Sequence, residues 1–379
     1  MKIGIDARLL ERHMTGIGRY LSDLVTELPR LDKENRYTLF SYRPVSGFSV
    51  ANMKNVPTLD VRSEGRFQKV ISPLWLNFIL PRFLKKEEID IFFSPNNLLP
   101  MRSTATKNIV SIMDVFALLN PRFHSPLYRV YSVPVLKRSA RRADHVITIS
   151  ECSKRDIVKF LGVSEEKVSV TYPSAAKRFM PREVPRETRG LLRQKYRLPE
   201  HFILYVGVIE RRKNIEGIIQ VADGLNKPDD LPLVLVGRLG YGGEQYVKEI
   251  SKRKNMHWCG FVADEDMPLF YNIASAFLFP SWYEGFGLPV LEAMQSGLPV
   301  VTSNSSSLPE VVGSAGITLA PADYGGFARE LRGLTRDGVK RKVLRDAGIA
   351  RARLFDPERT ARGTIEAFKI ACRAQKVYK

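Results

Sequence analysis

Two series of short, continuously apolar runs, each run followed by a longer helix-like stretch, constrain this chain more than any other feature. The first series is Lys2–Asp6 (KIGID), Tyr37–Tyr42, Asp90–Ser94, Asn108–Met113 and Asp144–Ser150, and a helical pattern from Gly18 to Leu31 follows its first member. The second is Phe202–Gly207, Leu233–Gly237, Ala276–Pro280 and Pro299–Thr302. Runs apolar throughout, rather than alternating, belong to strands covered on both faces, as in parallel sheets flanked by helices. Two series therefore predict two doubly wound α/β domains, and 379 residues suffice for two at about 100–200 residues each. Between them Pro173–Pro199 holds Pro173, Pro181, Pro185 and Pro199 among many charges, which predicts a connecting segment. Ligands of such sheets bind beyond the carboxyl ends of the strands, so the loops leaving those ends are where chemistry is expected.

The most informative of these loops lies in Phe277–Val301, FLFPSWYEGFGLPVLEAMQSGLPVV. A strand ends near Pro280, a loop carries Glu284-Gly285-Phe286-Gly287, and Pro289 suits the first position of a helix that Gly297 can stop. Glu292 then falls in that helix's opening turn. Glycines let backbone N–H groups approach a ligand, and a helix start adds partial positive charge suited to phosphate. Two carboxylates beside such an anion site would be repelled by the phosphate but can accept hydrogen bonds from hydroxyls, including both of a vicinal diol. Phosphates flanked by diols describe a nucleotide sugar. A second cluster, Glu210-Arg211-Arg212-Lys213-Asn214, follows the strand FILYVG, where adjacent cations can neutralise a diphosphate without a metal. A third, Thr15-Gly16-Ile17-Gly18-Arg19-Tyr20, is an incomplete dinucleotide fingerprint, because Leu21 stands where its last glycine belongs.

Glu284 and Glu292 have the E-x7-E spacing of the retaining glycosyltransferases of family 4, and EGFGLPVLEAMQSGLPVVTSN resembles their signature. ERRKN resembles their diphosphate-binding segment, and TGIGRY their N-terminal glycine loop. The resemblance implies a GT-B architecture, two Rossmann-like domains facing across a cleft. The N-terminal acceptor domain would span 1–172, completed by a helix at 356–379, and the donor domain 173–355. It also implies roles: Arg212 and Lys213 on the donor diphosphate, Glu292 on the ribose diol, and Glu284 with the amides of Gly285, Phe286, Gly287 and Leu288 on the transferred sugar. Gly16 and Gly18 would close over the phosphates. One departure stands out. Ser111-Ile112-Met113-Asp114 places methionine where many relatives have a histidine facing the reacting sugar, which leaves Asp114 as a candidate substitute. By resemblance the reaction is retaining transfer of a hexose, mannose from GDP-mannose, to a saccharide or lipid-linked saccharide of surface-polysaccharide assembly, lipopolysaccharide included. A UDP-sugar donor is the alternative within the fold.

Lys and Arg total 59 against 40 Asp and Glu, a formal charge of +19, which calls for an anionic partner. A nucleic-acid-binding protein is the alternative from another class, but no binding module is recognisable and the charge divides nearly evenly at Ala175. An NAD-dependent oxidoreductase is disfavoured by the incomplete glycine loop. Arg129, Lys137, Arg138, Arg141 and Arg142, with Tyr128 and Tyr131, form a basic segment suited to anionic headgroups, and Arg62–Lys86 is a second. Peripheral contact with the inner face of the plasma membrane is therefore expected of a cytoplasmic protein. No run reaches the roughly 18–20 apolar residues of a membrane span, Ser72–Pro81 being the most apolar stretch. Cys152, Cys259 and Cys372 form no CxxC pair. Asp264-Glu265-Asp266 matches a metal-binding DxD pattern but precedes a helical run, so Asp264 reads as its N-cap. Neither metal nor other cofactor is expected.

Overall fold

The computed structural model describes residues 1–11, 16–48, 51–59, 68–101, 106–123 and 126–373. Two compact units divide it. One takes in Met1–Pro121, Pro126–Ser174 and the helix that starts at Pro357; the other takes in Ala175–Asp356.

The first unit is built on a seven-stranded sheet of order β3-β2-β1-β4-β5-β6-β7, every pair parallel. Its strands are β1 (Lys2–Asp6), β2 (Arg36–Ser41), β3 (Met53–Pro57), β4 (Ile91–Ser94), β5 (Lys107–Ser111), β6 (His145–Thr148) and β7 (Val168–Val170). The second carries a six-stranded parallel sheet of order β10-β9-β8-β11-β12-β13. Its strands are β8 (Ile203–Val206), β9 (Leu233–Val236), β10 (Met256–Gly260), β11 (Ala276–Phe279), β12 (Val300–Ser303) and β13 (Ile317–Leu319). In each sheet the order reverses beside the first strand, at β1/β4 and at β8/β11. Doubly wound folds place their ligands at such a reversal.

The helices used below are α1 (Gly16–Leu31), α2 (Pro126–Arg142), α3 (Arg186–Tyr196), α4 (Ile215–Gly224), α5 (Met267–Ile273), α6 (Leu288–Gln295), α7 (Gly338–Ala352) and α8 (Pro357–Arg373). α8 is part of the first unit: Ala361 and Phe368 join its core, and Phe368 meets Phe93 of β4 edge to face at 5.6 Å. The Thr360 hydroxyl donates to the Tyr172 carbonyl at 2.6 Å. The apolar stretch Ser72–Pro81 is helical and buries Trp75, Leu76 and Leu80. No helix among the described residues is long and apolar enough to cross a membrane.

Two expectations need correction. The segment Pro173–Pro199 is not merely a connection, since α3 occupies its middle. Pro185 precedes that helix, Arg197 closes it in the left-handed region, and proline-free RETRGLLRQKY buries Leu192. The prolines bound the helix rather than prevent it. Likewise Asp264 does not cap α5; the helix starts one step beyond Asp266, and Asp264 faces Arg178 at 3.7 Å.

Candidate active site

The candidate site of the second unit forms where loops leave β8, β11 and β12. After β8 a single 3-10 turn, Arg211–Lys213, brings the chain to Asn214, which sits in the left-handed region (φ 59°) and caps α4 by accepting from Gly217 N at 3.1 Å. Its amide nitrogen donates to the Pro280 and Pro321 carbonyls at 2.9 and 2.8 Å, fastening this turn to the end of β11. Asparagine tolerates that backbone and supplies both donor and acceptor, so one residue locks two loops.

Across the strand reversal, Lys213 Nζ donates to both carboxylate oxygens of Glu284, at 2.7 and 2.8 Å. The side chains are 71 residues apart in sequence and only 8% and 6% exposed. Burial pulls the Lys213 ammonium below its ordinary pKa, more than Glu284 restores. For Glu284 burial acts upward, but Lys213 and then Arg212 outweigh it, holding the carboxyl below its usual range. Arg212 Nε donates to Glu210 at 3.1 Å, and its carbonyl accepts from Trp282 N.

The loop bearing Glu284 is held by serines of the segment after β12. Glu284 N donates to Ser306 Oγ at 2.8 Å, and Ser307 Oγ bonds the Glu284 and Phe286 carbonyls at 2.9 and 2.8 Å. Gly287 ends the loop at φ 110°, where a Cβ would stand 2.7 Å from Leu308 Cδ2. Only glycine fits there without displacement. α6 begins at Leu288 with Pro289 in its first turn, so Glu292 lies one turn further along than expected from sequence. It is 7% exposed and accepts a 2.9 Å bond from the Tyr271 hydroxyl.

The structure thus brings together Lys213, Glu284, Gly285, Phe286, Gly287 and Leu288, with Arg212 and Glu292 on the same loops and helix. The remaining candidates belong to the first unit. Gly16 and Gly18 form the first turn of α1 rather than a loop, and Thr15 lies outside the described residues. Asp114 accepts from Phe116 N at 3.0 Å, while Met113 packs into the core. Sequence reasoning missed Asn214 as a clamp, Tyr271 as the partner of Glu292, and the Ser306–Ser307 support. The serine run SNSSS was the available signal. Asp266 accepts from Lys195 and from Tyr196, at 2.8 and 2.7 Å. Among the described residues no group of three or more His, Cys, Asp or Glu gathers as a metal site.

Residues 14–174 match the family model described as Glycosyltransferase Family 4, and residues 189–351 that described as Glycosyl transferases group 1. The chain is 31% identical to an O-antigen chain mannosyltransferase B of Escherichia coli, over 98% of this chain and 100% of that protein. The chain belongs to glycosyltransferase family 4. Its fold is GT-B. A sucrose-phosphate synthase from Thermosynechococcus elongatus superposes with TM-score 0.74 at 17% identity, covering 99% and 100% of the two chains. WaaG, a glycosyltransferase involved in lipopolysaccharide biosynthesis, does so with 0.69 at 16%, covering 98% and 99%. In this glycosyltransferase the matched group 1 region contains the whole Lys213–Glu284–Glu292 arrangement.

Proposed function

We propose that this glycosyltransferase moves mannose, with retention of configuration, from GDP-mannose to a saccharide or lipid-linked saccharide in O-antigen-type polysaccharide synthesis. The buried Lys213–Glu284 pair at the strand reversal carries the reading, together with the full-length relative, itself a mannosyltransferase.

As the bond between C1 and the phosphate oxygen breaks, negative charge grows on the outer phosphate. Arg212, Lys213 and the amides opening α6 are the positive groups on hand to stabilise it. Glu292 takes the ribose diol, and Glu284 takes a hydroxyl of the sugar. Both Glu284 oxygens accept from Lys213, which disfavours that carboxylate as a covalent nucleophile. Attack by the acceptor hydroxyl on the face the phosphate leaves, with its proton passing to the departing phosphate oxygen, fits that arrangement. The reading needs no metal, since Asp264 and Asp266 are spent on Arg178, Lys195 and Tyr196. Lys137, Arg138 and Arg141 are exposed on α2, while Arg138 and Arg142 also bond the Met101 carbonyl. They would meet anionic headgroups of the acceptor's membrane. The side chain of Arg129 lies outside the described residues, as do Arg62 and Arg66 of the second basic segment.

A thermal-shift panel of GDP- and UDP-sugars tests the donor, because a ligand bound only by the native state raises Tm. GDP-mannose should give the largest shift and Glu292→Ala should abolish it; a larger shift with UDP-glucose would replace the donor. Product anomers read by NMR test the stereochemistry, and a β-linked product from the α-linked donor overturns retention. Activity should persist in excess chelator. Neutralising Lys137, Arg138 and Arg141 should lower partition onto anionic liposomes.

A further inference from the structure

At the opposite, amino-terminal edge of the second sheet lies a cavity of about 780 Å³, reached from the residues that precede β8, β11 and β12. Arg182, Arg341, Lys342 and Arg345 line it against one carboxylate, Asp346, which Lys342 already pairs at 2.7 Å. Arg341 uses Nη1 on the Leu334 and Thr335 carbonyls, leaving the rest of its guanidinium available. Arg345 is exposed and makes no hydrogen bond or ion pair among the described residues. Ser296 completes the wall. It is 4% exposed, and its hydroxyl has no hydrogen-bond partner among the described residues, a condition that buried polar groups rarely tolerate.

We propose that this cavity is a second anion site, for a phosphate ester, and that its occupancy is felt at Glu292. Arginine forks match phosphate oxygens, and three arginines with one lysine line this cavity. The volume lies in the range of small-molecule sites, beyond what a bare ion fills. The connection to Glu292 is double. Ser296 terminates α6, the helix that carries Glu292, and Tyr271 both lines the cavity and donates to that carboxylate. This second limb rests on Glu292 as a donor ligand; the anion site itself does not.

Calorimetry with glycerol 3-phosphate tests the site, and flotation with phosphatidylcholine vesicles, with and without phosphatidic acid, tests whether the ester is a lipid headgroup. Wild type and Arg212→Ala should bind alike, while R341Q/R345Q should weaken binding about tenfold or more and still melt cooperatively. Binding confined to phosphatidic acid vesicles and lost in R341Q/R345Q assigns the site to a headgroup; binding of the soluble ester assigns it to a metabolite. Binding unchanged in R341Q/R345Q, lost in Arg212→Ala, or absent with both probes overturns the site. A lower Tm alone would then make the arginines partners of the carboxyl end of α6. For the second limb, saturating ester should change nucleotide-sugar affinity about fivefold or more, with the reciprocal change in ester affinity. No change, with both ligands bound, overturns the linkage. Failure to bind any nucleotide sugar breaks the donor reading and leaves the ester isotherm standing.

Discussion

Each sheet carries a buried ion pair beyond the carboxyl ends of its strands, and the two pairs are built differently. In the first unit Arg8 and Asp6 are two residues apart, bonded through Nε and Nη2 at 2.8 and 2.7 Å. Arg8 also donates to the Tyr42 hydroxyl and to Ser72 Oγ, and its guanidinium lies 4.1 Å from the centre of the Trp75 ring. Its donors are spent on protein, as in a strut that ties β1 to the helices beside it. In the second unit Lys213 and Glu284 come from loops of different strands, and among the described residues the ammonium donates only to Glu284. On the proposed reading a donor phosphate and a sugar hydroxyl divide that pair between them. Similar burial thus accompanies a pair tied into its surroundings in one place and, in the other, a pair that on the proposed reading exchanges partners with substrate.

The largest expected effects come from breaking one partner of each pair. Lys213→Met or Arg8→Met should each cost about 3–5 kcal/mol in urea unfolding, because a buried carboxylate is left uncompensated. The double changes separate them. Asp6→Leu with Arg8→Leu should recover most of the stability and keep turnover, whereas Lys213→Met with Glu284→Gln should recover stability and stay inactive. Loss of turnover in a folded Asp6→Leu/Arg8→Leu enzyme would show the first pair to be functional too.

A pH experiment separates the units next. Burial first, then repulsion from Lys154 and Lys167, brings the His145 ring down to about 4 from 6.5. The unfolded chain therefore binds this proton more readily than the folded one. Stability from His145 is complete above about pH 6.5 and is lost as pH falls to 4, up to about 3 kcal/mol. The depressed carboxyl of Glu284 keeps its full contribution down to the ordinary carboxylate range and loses it only as pH falls from there through its own lowered value. Hydrogen exchange between pH 7 and 4 should show β6 loosening before β11, and His145→Asn should remove the difference.

Smaller effects sharpen the site itself. Gly287→Ala puts a Cβ on a backbone at φ 110° against Leu308, which should cost about 1–3 kcal/mol and reduce kcat. Tyr271→Phe removes the hydroxyl bonded to Glu292, at about 1–2 kcal/mol, and should raise KM for the nucleotide sugar more than it lowers kcat. An unchanged KM would mean that Glu292 needs no orienting partner.

The apolar runs in the sequence correspond to the nine inner strands. The four strands that sequence reasoning missed, β3, β7, β10 and β13, are the four sheet edges. Their segments MKNVP, VSV, MHWCG and ITL are mostly half-exposed, so nothing requires them to be continuously apolar. An edge strand is chosen by its neighbour's unpaired backbone, which no local pattern records. At the site, Glu284, the glycine loop, Pro289 and the RRKN turn were legible because loop and helix-start chemistry is local. The partners were not. Lys213 meeting Glu284, Tyr271 meeting Glu292, and Ser307 holding two carbonyls of the Glu284 loop depend on which strands lie side by side. By itself the sequence determined two parallel sheets, the loops of the candidate site and the family. Only the tertiary structure decided which charges neutralise each other, because burying a charge is tolerable only where folding has already delivered its partner.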